Sequence, residues 1–156
     1  MISDQITDNI VNSILRQMGA TKIKTMPARI NIVTFAFSDD FNIQYVYEMK
    51  ENESIYLERV SPYPYFLGEP EDSDQLVEII RTDLRKYRFA YESNNFPLFM
   101  SIAGKAHAAF NQLEKILLAD DFANPNDLKR IDKALDQINE MLLQAEENTT
   151  SEPELG

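Results

Sequence analysis

The chain has 156 residues, 44% of them hydrophobic, and its 26 acidic and 15 basic side chains give a formal net charge of -11. A chain of this length and composition normally folds as one globular domain, while the charge disfavours nucleic acid and anionic membranes, which are bound mainly through Lys and Arg. The absence of cysteine excludes disulfides, thiolate nucleophiles and the usual structural zinc sites.

An N-terminal helix and a sheet are predicted first. Apolar residues from Ile6 to Met18 recur at spacings of three and four, and Gly19 is placed to end the helix. The period then changes to two, which predicts a three-stranded antiparallel meander. Its strands cover residues 29–37, 41–49 and 54–60. Because three strands need a covering layer, later helices are expected to pack on this sheet.

The segment after the third strand is predicted to be irregular. Residues 61–72, which read SPYPYFLGEPED, hold three of the seven prolines and one of the four glycines. Asp72 is followed three residues later by Gln75, in the manner of a capping box. The apolar stripe from Leu76 to Tyr87 therefore predicts a helix that begins just after Asp72.

Two structures remain open for residues 87–104. Alternating aromatic residues with a turn at Asn94 and Asn95 predict a second hairpin, whereas Pro97 suits the first turn of a helix. With the hairpin, the element order is helix, three strands, helix, two strands, then helices. That order resembles the type III secretion chaperones, which are small, acidic and dimeric and hold an unfolded segment of a client. The resemblance leaves the last helix unexplained.

Two amphipathic helices are predicted in the C-terminal third, from Lys105 to Leu118 and from Pro125 to Glu147. The apolar stripe of the last helix is widened by Ala134 and Met141, which favours packing on a globular core. Use of that helix for dimerisation or partner docking is the alternative. The fold predicted is thus one α+β domain over residues 1–148, with two or three C-terminal helices packed on the sheet and a disordered acidic tail at 149–156.

Aromatic side chains beside prolines form the first candidate binding site. Tyr63, Tyr65 and Phe66 lie in the irregular segment, where a stiff aromatic loop offers a large contact area at a small entropic cost. The alternative is that these rings cover one end of the sheet.

Basic side chains gathered on one helix form the second candidate site. Arg81, Arg85 and Arg88 share a helical face and could bind a phosphate or an acidic partner. The alternative is that these side chains pair with acidic residues at helical spacing, namely Asp74, Glu78 and Asp83.

The sequence predicts no catalytic site, cofactor or metal, because it contains no known nucleophile, phosphate-binding or metal-binding motif. We therefore expect a non-catalytic protein-binding module: an adaptor, a small chaperone or a regulatory inhibitor. We expect its partner to be a protein, and the negative charge suits a basic one. A homodimer is also compatible with the sequence. The cytoplasm is expected, because the first residues lack the features of a signal peptide. The alternative is a small-ligand sensor, or an enzyme of unfamiliar type, with a pocket lined by Tyr45, Tyr47 and Tyr87.

Overall fold

The computed structural model describes residues 2–51, 54–119 and 123–150. Over this part of the chain the elements are α1 (Ile2–Gln17), β1 (Ala28–Ala36), β2 (Asn42–Lys50), β3 (Ile55–Ser61), β4 (Tyr65–Gly68), α2 (Ser73–Glu92), α3 (Phe96–Leu117) and α4 (Pro125–Thr150). The predicted α+β class is confirmed. The chain divides into two compact units, with the boundary between Ser93 and Asn94. The single domain expected from the sequence stays a prediction.

The sheet of the first unit is antiparallel, with its four strands in the order β1-β2-β3-β4. The predicted three-stranded meander is confirmed, and β4 adds a strand to it. Between β1 and β2 the backbone N–H groups of Phe37 and Ser38 both donate to the carbonyl of Phe41, at 2.9 and 3.1 Å. Because side chains alternate along each strand, the sheet has two distinct faces. The helix face carries Tyr45 and Leu57 and is covered by α2, and the open face carries Ile32 and Val46.

The helix face carries the core of the first unit. Its buried apolar side chains come from the two central strands and from α2: Ile43, Tyr45, Ile55, Leu57, Leu76 and Tyr87. At the far end of α2 the ring of Tyr91 lies 5.3 Å from that of Phe37 and 5.4 Å from that of Phe41. The expectation that a helix covers the sheet is met by α2.

The start of α2 has the capping interactions that the sequence predicts. The Asp72 side chain accepts a hydrogen bond from the backbone N–H of Gln75 at 2.8 Å. The Gln75 side chain in turn accepts from the backbone N–H of Glu71 at 2.6 Å. Two N–H groups that the helix itself cannot satisfy are thereby paired.

The segment 61–72 contains a strand, so the prediction of an irregular segment is wrong for β4. Tyr65 lies opposite Arg59, and Phe66 lies opposite Glu58. The prolines flank the strand and none falls within its four residues, so the β3 ladder loses no N–H donor. Gly68 has φ of 131°, a conformation that favours glycine.

Residues 87–104 are helical, so the hairpin alternative is wrong. Tyr87 is buried and Tyr91 packs on Phe37 and Phe41, whereas Phe89 is 71% exposed. An alternating aromatic run can therefore also be a helix in which residues four apart face the core. Without the hairpin, the element order no longer resembles that of the type III secretion chaperones.

The second unit consists of α3 and α4. Asn124 precedes α4, and its side chain accepts a hydrogen bond from the backbone N–H of Asn126 at 2.9 Å. Where the helices adjoin, apolar side chains line a shallow cleft of about 370 Å³, among them Leu113, Leu117, Leu128 and Ile131. Helix α4 continues to Thr150. Most of the tail predicted at 149–156 lies outside the described part of the chain.

The predicted N-terminal helix is confirmed as α1, and Gly19 follows it with φ of 102°. Several of its apolar side chains are exposed, including Ile10, Val11 and Ile14. Over the ranges that the structure describes, none of the helices combines the length and apolarity needed to cross a membrane.

Candidate functional site

A buried arginine is the centre of the polar contacts on the helix face. Arg59 is 4% exposed and lies opposite Tyr45 in the ladder between β2 and β3. Its Nη1 donates to both carboxylate oxygens of Asp83, at 2.7 and 2.9 Å. The hydroxyl of Tyr45 donates to the same carboxylate at 2.8 Å. One carboxylate on α2 is thus bonded to both central strands.

Three aromatic rings surround the guanidinium of Arg59. Its Cζ lies 4.6 Å from the ring centroid of Tyr87, 4.9 Å from that of Tyr63 and 5.2 Å from that of Tyr65. The electron-rich faces of the rings stabilise the positive charge. The first candidate site therefore lies on two faces of the sheet, because Tyr63 and Tyr65 contact the buried arginine while Phe66 projects from the open face.

Two hydroxyl groups of this cluster have a raised pKa. Burial, followed by the hydrogen bond to Asp83, raises the pKa of Tyr45 above its ordinary range. Burial and a hydrogen bond with Tyr63 likewise raise the pKa of Tyr87. Both hydroxyls therefore stay protonated at neutral pH. Tyr45 and Tyr87 are buried, and they contact Asp83 and Arg59 respectively.

The open face is apolar, with carboxylates in its centre. Opposite residues in the three ladders share a face, and one row across all four strands comprises Ile32, Val46, Glu58 and Phe66. The neighbouring row comprises Ile30, Glu48 and Tyr56. Ile30, Ile32 and Phe66 are 68%, 65% and 53% exposed. Large apolar side chains in regular strands therefore face away from the core.

Two rings and a carboxylate contact one another on the open face. The ring of Tyr56 stacks on that of Phe66 at 5.1 Å, and its hydroxyl donates to Glu58 at 3.4 Å. Desolvation and the nearby charge of Glu58 raise the pKa of Tyr56. Within the described residues, neither Glu58 nor Glu48 forms an ion pair with a Lys or Arg. The face thus carries two carboxylates without an ion pair, and Lys50 at its margin is its one basic side chain among the paired residues.

The three arginines of the second candidate site have different surroundings. Arg81 pairs with Glu78 at 2.7 Å, and both side chains are well exposed. Arg88 lies over the ring of Phe37 at 5.9 Å, and Arg85 is exposed. Asp83, expected from the sequence to pair with them, bonds to Arg59 instead. The three arginines therefore do not converge on one common partner within the described residues.

An open cavity of about 710 Å³ lies between the ends of the first strands and the start of α2. Its lining holds charges of both signs, among them Arg29, Lys50, Glu71 and Asp72. Its volume falls in the range of small-molecule sites. In the described part of the chain, no three His, Asp or Glu side chains are grouped as a metal site would require.

Both helices of the second unit expose large apolar side chains. Leu98, Ile102 and Phe110 on α3 are 60%, 57% and 64% exposed, and no residue of α3 is buried. On α4, Leu135, Ile138 and Leu142 are 43%, 50% and 62% exposed.

Among protein-family models, curated proteins and solved structures, no match to the chain is found.

Proposed function

We propose that the protein is a non-catalytic protein-binding module: an adaptor, a small chaperone or a regulatory inhibitor. The observation that carries the proposal is the exposure of large apolar side chains in regular elements, above all on α3. Monomeric soluble proteins rarely leave extended apolar patches uncovered, and such patches commonly bind partners.

The energetic argument depends on what these side chains gain when a partner covers them. Burying one Leu, Ile or Phe side chain contributes about 1.5 to 3 kcal/mol. A micromolar complex needs about 8 kcal/mol after the entropic cost of association. Ile102 and Phe110 on α3 and Leu142 on α4 are 57%, 64% and 62% exposed, so covering them supplies part of this driving force.

The charge of the molecule limits the class of partner. At a net charge of -11, a basic protein is attracted at long range, whereas nucleic acid and anionic membranes are repelled. The module is placed in the cytoplasm as part of the same proposal, which is supported by a sequence without the cysteines that small exported domains commonly use.

Affinity capture from the native cell tests the proposal. The full chain carrying Ile102→Ser and Phe110→Ser is compared with the wild type and with a control carrying Lys105→Ser and Gln112→Ser, two exposed polar positions on the same helix. We expect the wild type and the control to retain a protein that the apolar variant loses, with unchanged circular dichroism. A variant that retains every wild-type partner would contradict the proposal.

The second candidate function, a small-ligand sensor, is favoured by the 710 Å³ cavity at the start of α2. Ligands that bind only the folded state raise its melting temperature. A thermal-shift screen against metabolites and nucleotides tests this, and a shift that disappears in Arg29→Ala would assign the ligand to the cavity.

A further inference from the structure

We infer that the open face of the sheet docks a basic amphipathic helix of a partner protein. The inference rests on the proposed function and names both the surface and the chemistry of the partner. It is carried by the combination of exposed apolar side chains with two carboxylates that have no cationic partner among the described residues.

The dimensions of the face suit one helix. Four strands spaced about 4.8 Å apart place the outer strands about 14 Å from each other, and a helix with its side chains is about 10 to 12 Å across. Ile30 and Ile32 lie on one outer strand and Phe66 on the other. A helix placed along the central strands contacts all three, and packing a helix on a sheet is the usual way to cover an apolar sheet face.

The carboxylates determine the charge of the occupant. Glu48 and Glu58 are diagonal neighbours on the central strands, because Glu48 lies opposite Tyr56, two residues before Glu58. Diagonal neighbours are about 7 to 8 Å apart, and residues one turn apart on a helix are separated by about 6 Å along its axis. Lys or Arg at such positions can pair with both carboxylates while the apolar residues between them contact Ile32 and Val46.

A second copy of this chain is a poor occupant on grounds of charge. Each copy carries a formal charge of -11, so association brings together two molecules that repel each other. An uncompensated carboxylate under a neutral or acidic helix also incurs a desolvation penalty. A basic helix removes that penalty, because it supplies the missing partner charge. Lys50, at the margin of the face, forms no ion pair with the described acidic residues.

Two synthetic helical peptides serve as the probe. Both carry Leu along one face, and they differ only in having Lys or Glu beside that face. Binding to the full chain is measured by fluorescence anisotropy at physiological ionic strength. We expect the Lys peptide to bind at least about tenfold more tightly than the Glu peptide, because opposite charges favour docking and like charges oppose it.

Paired variants separate docking on this face from general attraction to an acidic protein. Glu48→Gln with Glu58→Gln is compared with Asp39→Asn with Asp40→Asn, which removes the same charge at an exposed turn. We expect the first pair to weaken Lys-peptide binding by about tenfold and the second by less than about twofold.

A further pair tests the apolar contacts. Ile32→Ser is compared with Val77→Ser, which removes a 51% exposed apolar side chain from α2. We expect Ile32→Ser to weaken binding by about tenfold, as for the loss of one buried apolar side chain, and Val77→Ser to leave it unchanged.

Equal binding of the two peptides, or equal effects within either pair of variants, would overturn the inference. A dimer in light scattering that Ile32→Ser dissociates would also overturn it, because a second copy would then occupy the face. The α3 capture experiment changes no residue of the sheet. If the α3 variant still loses its partner, the proposed function stands while this inference fails.

Discussion

Arg59 occupies a position that the alternation of β3 assigns to the core. Ile55 and Leu57 precede it on the same face and are buried, as Arg59 is. A buried guanidinium is tolerated when charge and hydrogen bonds compensate for the lost water. Asp83 provides the charge, and the aromatic rings provide a favourable surface for the cation. Arg59 on β3 therefore contacts both α2, through Asp83, and the aromatic residues Tyr63 and Tyr65 at or just before the start of β4.

Removing Arg59 is expected to destabilise the first unit strongly. Arg59→Ala leaves the carboxylate of Asp83 largely buried without its cation, at a cost of about 3 to 5 kcal/mol. Tyr45→Phe removes one hydrogen bond to the same carboxylate and costs about 1.5 kcal/mol. Urea unfolding monitored by circular dichroism measures both. If Arg59→Ala costs less than Tyr45→Phe, the ion pair is not the main contact between α2 and the sheet.

Stability is expected to fall at alkaline pH because of Tyr45 and Tyr87. Their pKa values are raised by burial above the ordinary value of about 10, so above pH 10 the unfolded chain releases protons that the folded protein retains. The stability that they contribute is complete below pH 10 and falls above it, by up to about 1.4 kcal/mol per pH unit for each tyrosine. Urea unfolding between pH 8 and 11 should give a shallower decline for Tyr45→Phe. The same slope in variant and wild type would contradict this assignment.

The residues of this cluster could be predicted only in part from the sequence. Tyr63 and Tyr65 are recognisable as unusual because they stand beside prolines. Arg59 carries a weaker signal, a charge at an inward position of a strand, and Asp83 is a charge close to the apolar stripe of a helix. That these two charges meet depends on how α2 lies on the sheet, which no local pattern specifies.

The cap of α2 should make a measurable contribution to stability. Asp72→Ala removes the acceptor for the N–H of Gln75 and is expected to cost about 1 kcal/mol. Asp74→Ala is the control, because Asp74 lies in the first turn without a capping bond. Its loss affects only the interaction with the helix dipole, about 0.3 to 1 kcal/mol. Denaturant midpoints that rank the two variants in the opposite order would contradict the assigned cap.

Among the elements, long periodic segments are predictable and short ones are not. The helices α1, α2 and α4 are recognisable because several turns repeat the same spacing. β4 is hidden because four residues are too few for a period and prolines stand on either side. The aromatic residues around Tyr91 fit a strand and a helix equally well, and packing against Phe37 and Phe41 decides between them.

At the scale of the whole molecule, apolar surface and negative charge occur together. The first unit exposes Ile30, Ile32 and Phe66 on its sheet, and the second exposes Ile102 and Phe110 on α3. A high net charge opposes the self-association that exposed apolar surface favours. The identity of the partner could not be predicted from the sequence, because exposure is a property of the folded chain.

The most direct measurement is the mass, by light scattering, of the species that the full chain forms with the protein captured from its native cell. We predict a complex larger than the free chain for the wild type and for the control with Lys105→Ser and Gln112→Ser. For Ile102→Ser with Phe110→Ser we predict the mass of the free chain. The same complex from all three proteins would contradict binding through the exposed apolar surface.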